Sequence, residues 1–136
     1  MNLTKNIEKI ILDYLLNNTK ALTIYLFGSI LKENFNNESD IDIAVIFDQK
    51  IPKEDLFNHS LNLGVLLKRD IDLVDFKESA VTLRIEIIKA GKVIFCENEE
   101  TRLFYEMISL TEYQKLNEER EIVIKTKYGD KIWMLL

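Results

Sequence analysis

Four short runs of strand-forming residues, separated by stretches of helical periodicity, constrain this chain more than any other feature. Residues 21–27 (Ala-Leu-Thr-Ile-Tyr-Leu-Phe) stop at Gly28, and residues 41–47 (Ile-Asp-Ile-Ala-Val-Ile-Phe) follow a polar segment from Asn34 to Ser39. Residues 70–76 alternate polar and apolar with period two, and residues 92–96 (Lys-Val-Ile-Phe-Cys) follow Gly91. Between them lie helical patterns. Residues 4–17 space Ile7, Ile10, Ile11, Tyr14 and Leu15 along one face, with Thr4 as the expected N-cap. A short helix is expected over 29–34. Another starts after Pro52, with Glu54 and Asp55 at its positive end, and runs to about Lys68. A third spans 80–90, capped by Ser79 and closed by Gly91, and a long fourth runs from Asn98 to about residue 125. The order predicts an α+β (mixed α/β) domain with a small central sheet of about four strands and flanking helices.

The chain of 136 residues contains one Pro and four Gly and no linker-like or repeated stretch, so one domain over 1–136 is expected, with a core of about 5–120. Hydrophobic residues make up 47%, enough for a packed core and against disorder. No apolar run suggests a membrane span, and the N-terminus lacks the pattern of a signal peptide. A single cysteine, Cys96, excludes an internal disulfide, and a reducing cytoplasm is the expected compartment. The net charge of −5 argues against direct binding of duplex nucleic acid, which needs a basic surface. It leaves room for a nucleotide brought to carboxylates by a metal ion.

The segment that carries chemistry is Gly28-Ser29, then ten residues, then Asp40-Ile41-Asp42. Glycine permits a tight turn and close backbone approach to a ligand, and the first N–H groups of a following helix suit phosphates. Asp40 and Asp42 are two apart at a strand start, so both side chains leave on one face. Adjacent carboxylates repel unless a cation neutralises them. Mg²⁺ does so while taking its remaining oxygens from substrate phosphates. Two ions about 3.5–4 Å apart would suit transfer of a nucleotidyl group to an attacking oxygen.

A third acid is expected on an adjacent strand. The candidates are Asp70, Asp72 and Asp75. Asp72 is chosen because it lies among Ile71, Leu73 and Val74, where an acid is expensive to bury without a metal or partner. It would deprotonate the acceptor hydroxyl or complete a second metal site.

Leu26-Phe27-Gly28-Ser29, Ser39-Asp40-Ile41-Asp42-Ile43, Ile71-Asp72-Leu73-Val74 and the stretch Leu83 to Phe95 resemble the minimal nucleotidyltransferases of the DNA polymerase β-like superfamily. More narrowly they are similar to MntA-type antitoxins, which pair with HEPN-domain toxins. The likeness covers roughly residues 5–120. It implies transfer of AMP from ATP to a tyrosine of the toxin with Mg²⁺. It further implies Asp40 and Asp42 as metal ligands, Asp72 as third catalytic acid and metal ligand, and Gly28 and Ser29 as the triphosphate-binding pair. The chain departs from that pattern at Lys32, where an arginine is common. Lys32 can still meet a phosphate as a point charge. Glu33 replaces a frequent glycine. Two other readings stay open: a small-molecule nucleotidyltransferase that needs a second subunit, and an antitoxin that neutralises by binding alone.

The remaining residues have plainer expectations. His59 is read as solvated or helix-packing, Cys96 as a small core residue, and Arg84 as an ion-pair residue. Leu103, Phe104, Met107, Ile108, Thr111 and Leu116 form a stripe expected to pack on the core, with a charged, solvated stretch after residue 112. The tail, 127–136, ends in Ile-Trp-Met-Leu-Leu and is expected to contact the core or a partner.

Overall fold

In the computed structural model, which describes residues 3–129, the elements are α1 (Leu3–Asn18), β1 (Ala21–Phe27), a 3₁₀ turn (Gly28–Leu31), β2 (Ile41–Phe47), α2 (Lys53–Leu67), β3 (Ile71–Asp75), a second 3₁₀ turn (Phe76–Glu78), α3 (Val81–Ala90), β4 (Lys92–Cys96) and α4 (Glu99–Tyr128). The sheet order is β3-β2-β1-β4. β1 pairs antiparallel with both β2 and β4, while β2 and β3 run parallel, joined by the α2 crossover. The expected mixed sheet of four strands with flanking helices is therefore present.

β1 and β2 are central and buried on both faces, which is why their sequences are nearly continuous apolar runs. One face sets Ile24, Leu26, Ile41, Ile43, Val45, Phe47 and Leu73 against Ile7, Ile11 and Leu15 of α1 and Leu63 of α2. The other sets Tyr25, Phe27, Ala44 and Ile46 against Phe76 and Ile87.

Several local expectations are corrected. Thr4 lies inside α1 rather than at its cap. Ser79 does not cap α3; its hydroxyl donates to the Asp75 carbonyl at 2.8 Å, and the N-cap position falls to Ala80, which makes no side-chain cap bond. The helix expected over 29–34 is a single 3₁₀ turn that starts at Gly28 and ends at Leu31. Asn98 does cap α4, accepting from the Thr101 N–H at 3.2 Å.

The largest correction concerns α4. Its apolar stripe does not pack on the core: Leu103, Phe104 and Met107 are 52%, 57% and 67% exposed. The inner face is polar instead. Arg102 donates to Glu106 at 2.8 Å and to Glu99 at 2.7 Å, and the buried Tyr25 hydroxyl donates to Glu106 at 2.8 Å. Burial, reinforced by the Glu106 charge, pushes the Tyr25 phenol far above its ordinary range, so it remains a donor. The Glu99 and Glu106 carboxylates hold Arg102 firmly charged.

Arg84 is an ion-pair residue, as expected. It reaches Glu112 at 2.6 Å, Ser109 Oγ at 3.0 Å and the Ser79 carbonyl at 3.1 Å, tying α3 to α4. His59 serves helix packing: its Nδ1 lies 2.7 Å from the Tyr14 hydroxyl, joining α2 to α1. Residues 130–136, and so the apolar end of the tail, lie outside the described residues.

Candidate active site

β1 ends at Phe27, and the chain turns at Gly28 with φ +75°, a left-handed conformation that favours glycine. The turn has a second reason for glycine. Phe27 pairs with Asp42 across the sheet, and a Cβ on Gly28 would collide with Asp42 Oδ2. The Asp42 carboxylate thus lies directly against the Gly28 backbone. Ser29 follows, and its hydroxyl donates to the Asp40 carbonyl at 3.1 Å, joining the turn to the start of β2. Lys32 stands exposed just past the turn.

The parallel register then adds Asp72, which pairs directly with Asp42. Paired residues in a parallel ladder point to the same face, so Asp42 and Asp72 stand side by side on adjacent strands, with the Gly28 turn packed against Asp42. Asp40 sits one step before β2, on the loop side of this pair. Asp42 is half-buried, whereas Asp40 and Asp72 are exposed. Burial raises the Asp42 carboxyl above its ordinary range, and the nearby Asp72, Asp40 and Glu86 charges raise it further. Glu86, on α3, is an acid that the local sequence pattern does not mark. It is a lone acid between Ile85 and Ile87, both buried.

The expectation that Asp72 is a buried acid is corrected by the structure. Asp72 is exposed rather than buried mid-strand, and what places it at the site is its pairing with Asp42. The buried acid of β3 is Asp75, 6% exposed, on the opposite face. Its Oδ1 accepts from the Lys77 N–H at 3.1 Å, while Oδ2 has no hydrogen-bond partner among the described residues. Burial pushes its carboxyl up despite that bond. Asp70 is exposed and contributes its carbonyl, which accepts from the Ile41 N–H at 3.0 Å.

Among the described residues, no three His, Cys, Asp or Glu side chains close into a metal cage. The donor set nonetheless fits Mg²⁺, which needs only one or two carboxylates and completes its shell with phosphate and water. Four acids converge on this corner, and a cation would relieve the repulsion that raises Asp42. The site is an open shelf. A separate cleft, lined by Lys20, Phe47, Gln49, Pro52 and His59, lies around the other end of β2.

A glycine turn against one strand-borne aspartate, with a second just before that strand and a third on the neighbouring parallel strand, is the arrangement of a nucleotidyltransferase. Residues 8–100 match the family model described as "Polymerase beta, Nucleotidyltransferase", and the chain belongs to that family. Within it, the chain is 31% identical over 105 residues to Protein adenylyltransferase MntA of Shewanella oneidensis, covering 77% of this chain and 75% of the relative. It is similar to a crystal structure of a toxin-antitoxin with AMP-PNP (TM-score 0.79, 28% identity, 88% of this chain and 96% of that one). It is also similar to a structure of tri-AMPylated Shewanella oneidensis HEPN toxin in complex with MNT antitoxin (TM-score 0.78, 26% identity, 91% and 98% covered). Among the described residues, no helix is long and apolar enough to cross a membrane.

Proposed function

We propose that this chain is a protein adenylyltransferase that moves AMP from ATP to a hydroxyl, a tyrosine's, on a partner HEPN-family toxin and so neutralises it. The juxtaposition of the Gly28 turn with Asp42 and Asp72 carries the reading, because it sets a bare backbone turn for phosphates beside carboxylates for a cation. The relative named as an adenylyltransferase and the similar structure that contains an AMPylated toxin supply the acceptor class. ATP as substrate accords with the AMP-PNP in another similar structure.

Asp40, Asp42 and Asp72 would hold Mg²⁺, two ions in the full site. When bound, the metal neutralises the carboxylates and lets phosphates approach them. Gly28 and Ser29 cradle the triphosphate, and Lys32 balances its charge from the rim. Asp72, exposed beside Asp42, takes the proton of the acceptor hydroxyl. The hydroxyl oxygen bonds to the α-phosphorus, the bond from that phosphorus to the β-bridging oxygen breaks, and pyrophosphate leaves. The whole chain acts as one nucleotidyltransferase domain in the cytoplasm, with the acceptor supplied by the other protein.

The test is incubation of the purified chain with α-labelled ATP, Mg²⁺ and the co-expressed partner. Label on a partner tyrosine supports the reading. Label on a small molecule alone, or protection of cells by the Asp40→Asn/Asp42→Asn variant equal to wild type, overturns it.

A further inference from the structure

Arg69 has no place in the site described so far, yet its side chain reaches into the loop that delivers Asp40. α2 ends at Lys68 in the left-handed conformation, φ 55°, and the Arg69 N–H bonds back to the Gly64 carbonyl at 3.2 Å. Gly64 leaves room for this return, since a Cβ there would stand 3.0 Å from the Arg69 carbonyl oxygen. The Arg69 backbone is therefore held at its base. From there Nη1 donates to two carbonyls at 3.0 Å each, those of Asn36 and Ser39, and the guanidinium lies 4.8 Å over the Phe35 ring. Phe35 itself packs against the core under α1 and α2. The Ser39 carbonyl is one peptide from Asp40, whose own carbonyl accepts from Ser29 Oγ.

We propose that Arg69 is a positioning residue for Asp40: its guanidinium clamps residues 35–39 from below and thereby sets where the Asp40 carboxylate leaves the loop. The inference rests on the reading of Asp40 as a metal ligand. The loop contains no regular structure between the 3₁₀ turn and β2, so its shape depends on such side-chain bonds. A forked cation suits the task because one nitrogen offers two donors at a fixed angle, while its planar face stacks on an aromatic ring. Groups that orient a metal ligand typically matter about 10–100-fold in affinity or activity.

The test compares Arg69→Gln, Arg69→Lys and Phe35→Leu with wild type, using the full chain. Mn²⁺ titration by EPR reads the metal site without nucleotide or partner. Arg69→Gln is expected to bind about tenfold more weakly. Arg69→Lys recovers part of the loss. Phe35→Leu, which removes the ring beneath the guanidinium and no polar group, shifts binding the same way by a smaller factor. AMP transfer by Arg69→Gln should lose kcat with an unchanged KM for the partner protein. Arg84→Gln, which cuts the α3–α4 ion pair, is the control for general destabilisation and should leave Mn²⁺ affinity unchanged. Wild-type Mn²⁺ affinity in Arg69→Gln overturns the inference. Amide exchange at Ser39, whose N–H bonds to the Asn36 carbonyl, reads the clamp independently of any metal. Faster exchange in Arg69→Gln supports the clamp even where the AMP-transfer reading fails, and unchanged exchange overturns it.

Discussion

Asp42 and Asp72 occupy the same rung of a parallel ladder, so two carboxylates face the same side on neighbouring strands and the Asp72 charge helps raise the Asp42 carboxyl. Such a pair stabilises the chemistry at the expense of the fold. Asp42→Asn removes the more buried charge and should raise the melting temperature of the metal-free protein by about 3 °C while abolishing AMP transfer. Scanning calorimetry with and without Mg²⁺ checks it. In wild type the metal should recover the difference, and in the variant it should do little.

Gly28→Ala combines a left-handed backbone with a clash against Asp42 Oδ2. It should destabilise by about 1–3 kcal/mol and sharply reduce AMP transfer. Urea unfolding and the labelled-ATP assay measure the two effects separately.

Asp75 predicts a pH dependence. Its carboxyl is raised in the fold, so the folded state holds a proton that the unfolded state has already lost. Its contribution is therefore most favourable below the unfolded pKa of about 4 and is lost as pH rises through the higher folded value. Relative to Asp75→Asn, wild type should lose stability from about pH 4 toward neutrality. Mg²⁺ should not alter the difference, because Asp75 faces away from the metal-binding acids. Urea midpoints for both proteins across that range test the sign.

Arg102 and Glu106 are mostly buried, with side chains 17% and 14% exposed, and removing Arg102 leaves the Glu106 charge with the Tyr25 hydroxyl but without that guanidinium. Arg102→Leu should cost about 3 kcal/mol. Tyr25→Phe should cost about 1 kcal/mol, and a double-mutant cycle with Glu106→Gln should show coupling. By contrast, Met107→Gln on the outer face of the same helix should change stability by less than about 0.5 kcal/mol.

That last contrast marks where the sequence was legible and where it was not. The strands 21–27, 41–47 and 92–96 match their observed bounds because apolar runs ended by Gly or polar loops have few alternatives. Gly28, Asp40 and Asp42 could be related from local spacing. The sequence points to Asp72 through burial, whereas what places it at the site is its register with Asp42, which depends on a crossover that includes all of α2. The α4 stripe was legible as a face but not in its direction. Periodicity says that apolar residues share a side; it does not say that Arg102 and Glu106 will pair, or that Ser109 will meet Arg84, on the other side. Arg69 was invisible for a related reason, since its partners are backbone carbonyls about thirty residues earlier.

The ionic grip of α4 also gives the domain two fastenings with opposite habits. Glu112 and Glu99 are 50% and 73% exposed, so their bonds to Arg84 and Arg102 are open to screening by salt. α1, held by Ile7, Ile11 and Leu15, tightens under salting-out ions and weakens on cooling. Ionic strength therefore acts on the exposed ion pairs of α4 and leaves the α1 contacts closed, whereas cold acts on the apolar contacts that hold α1.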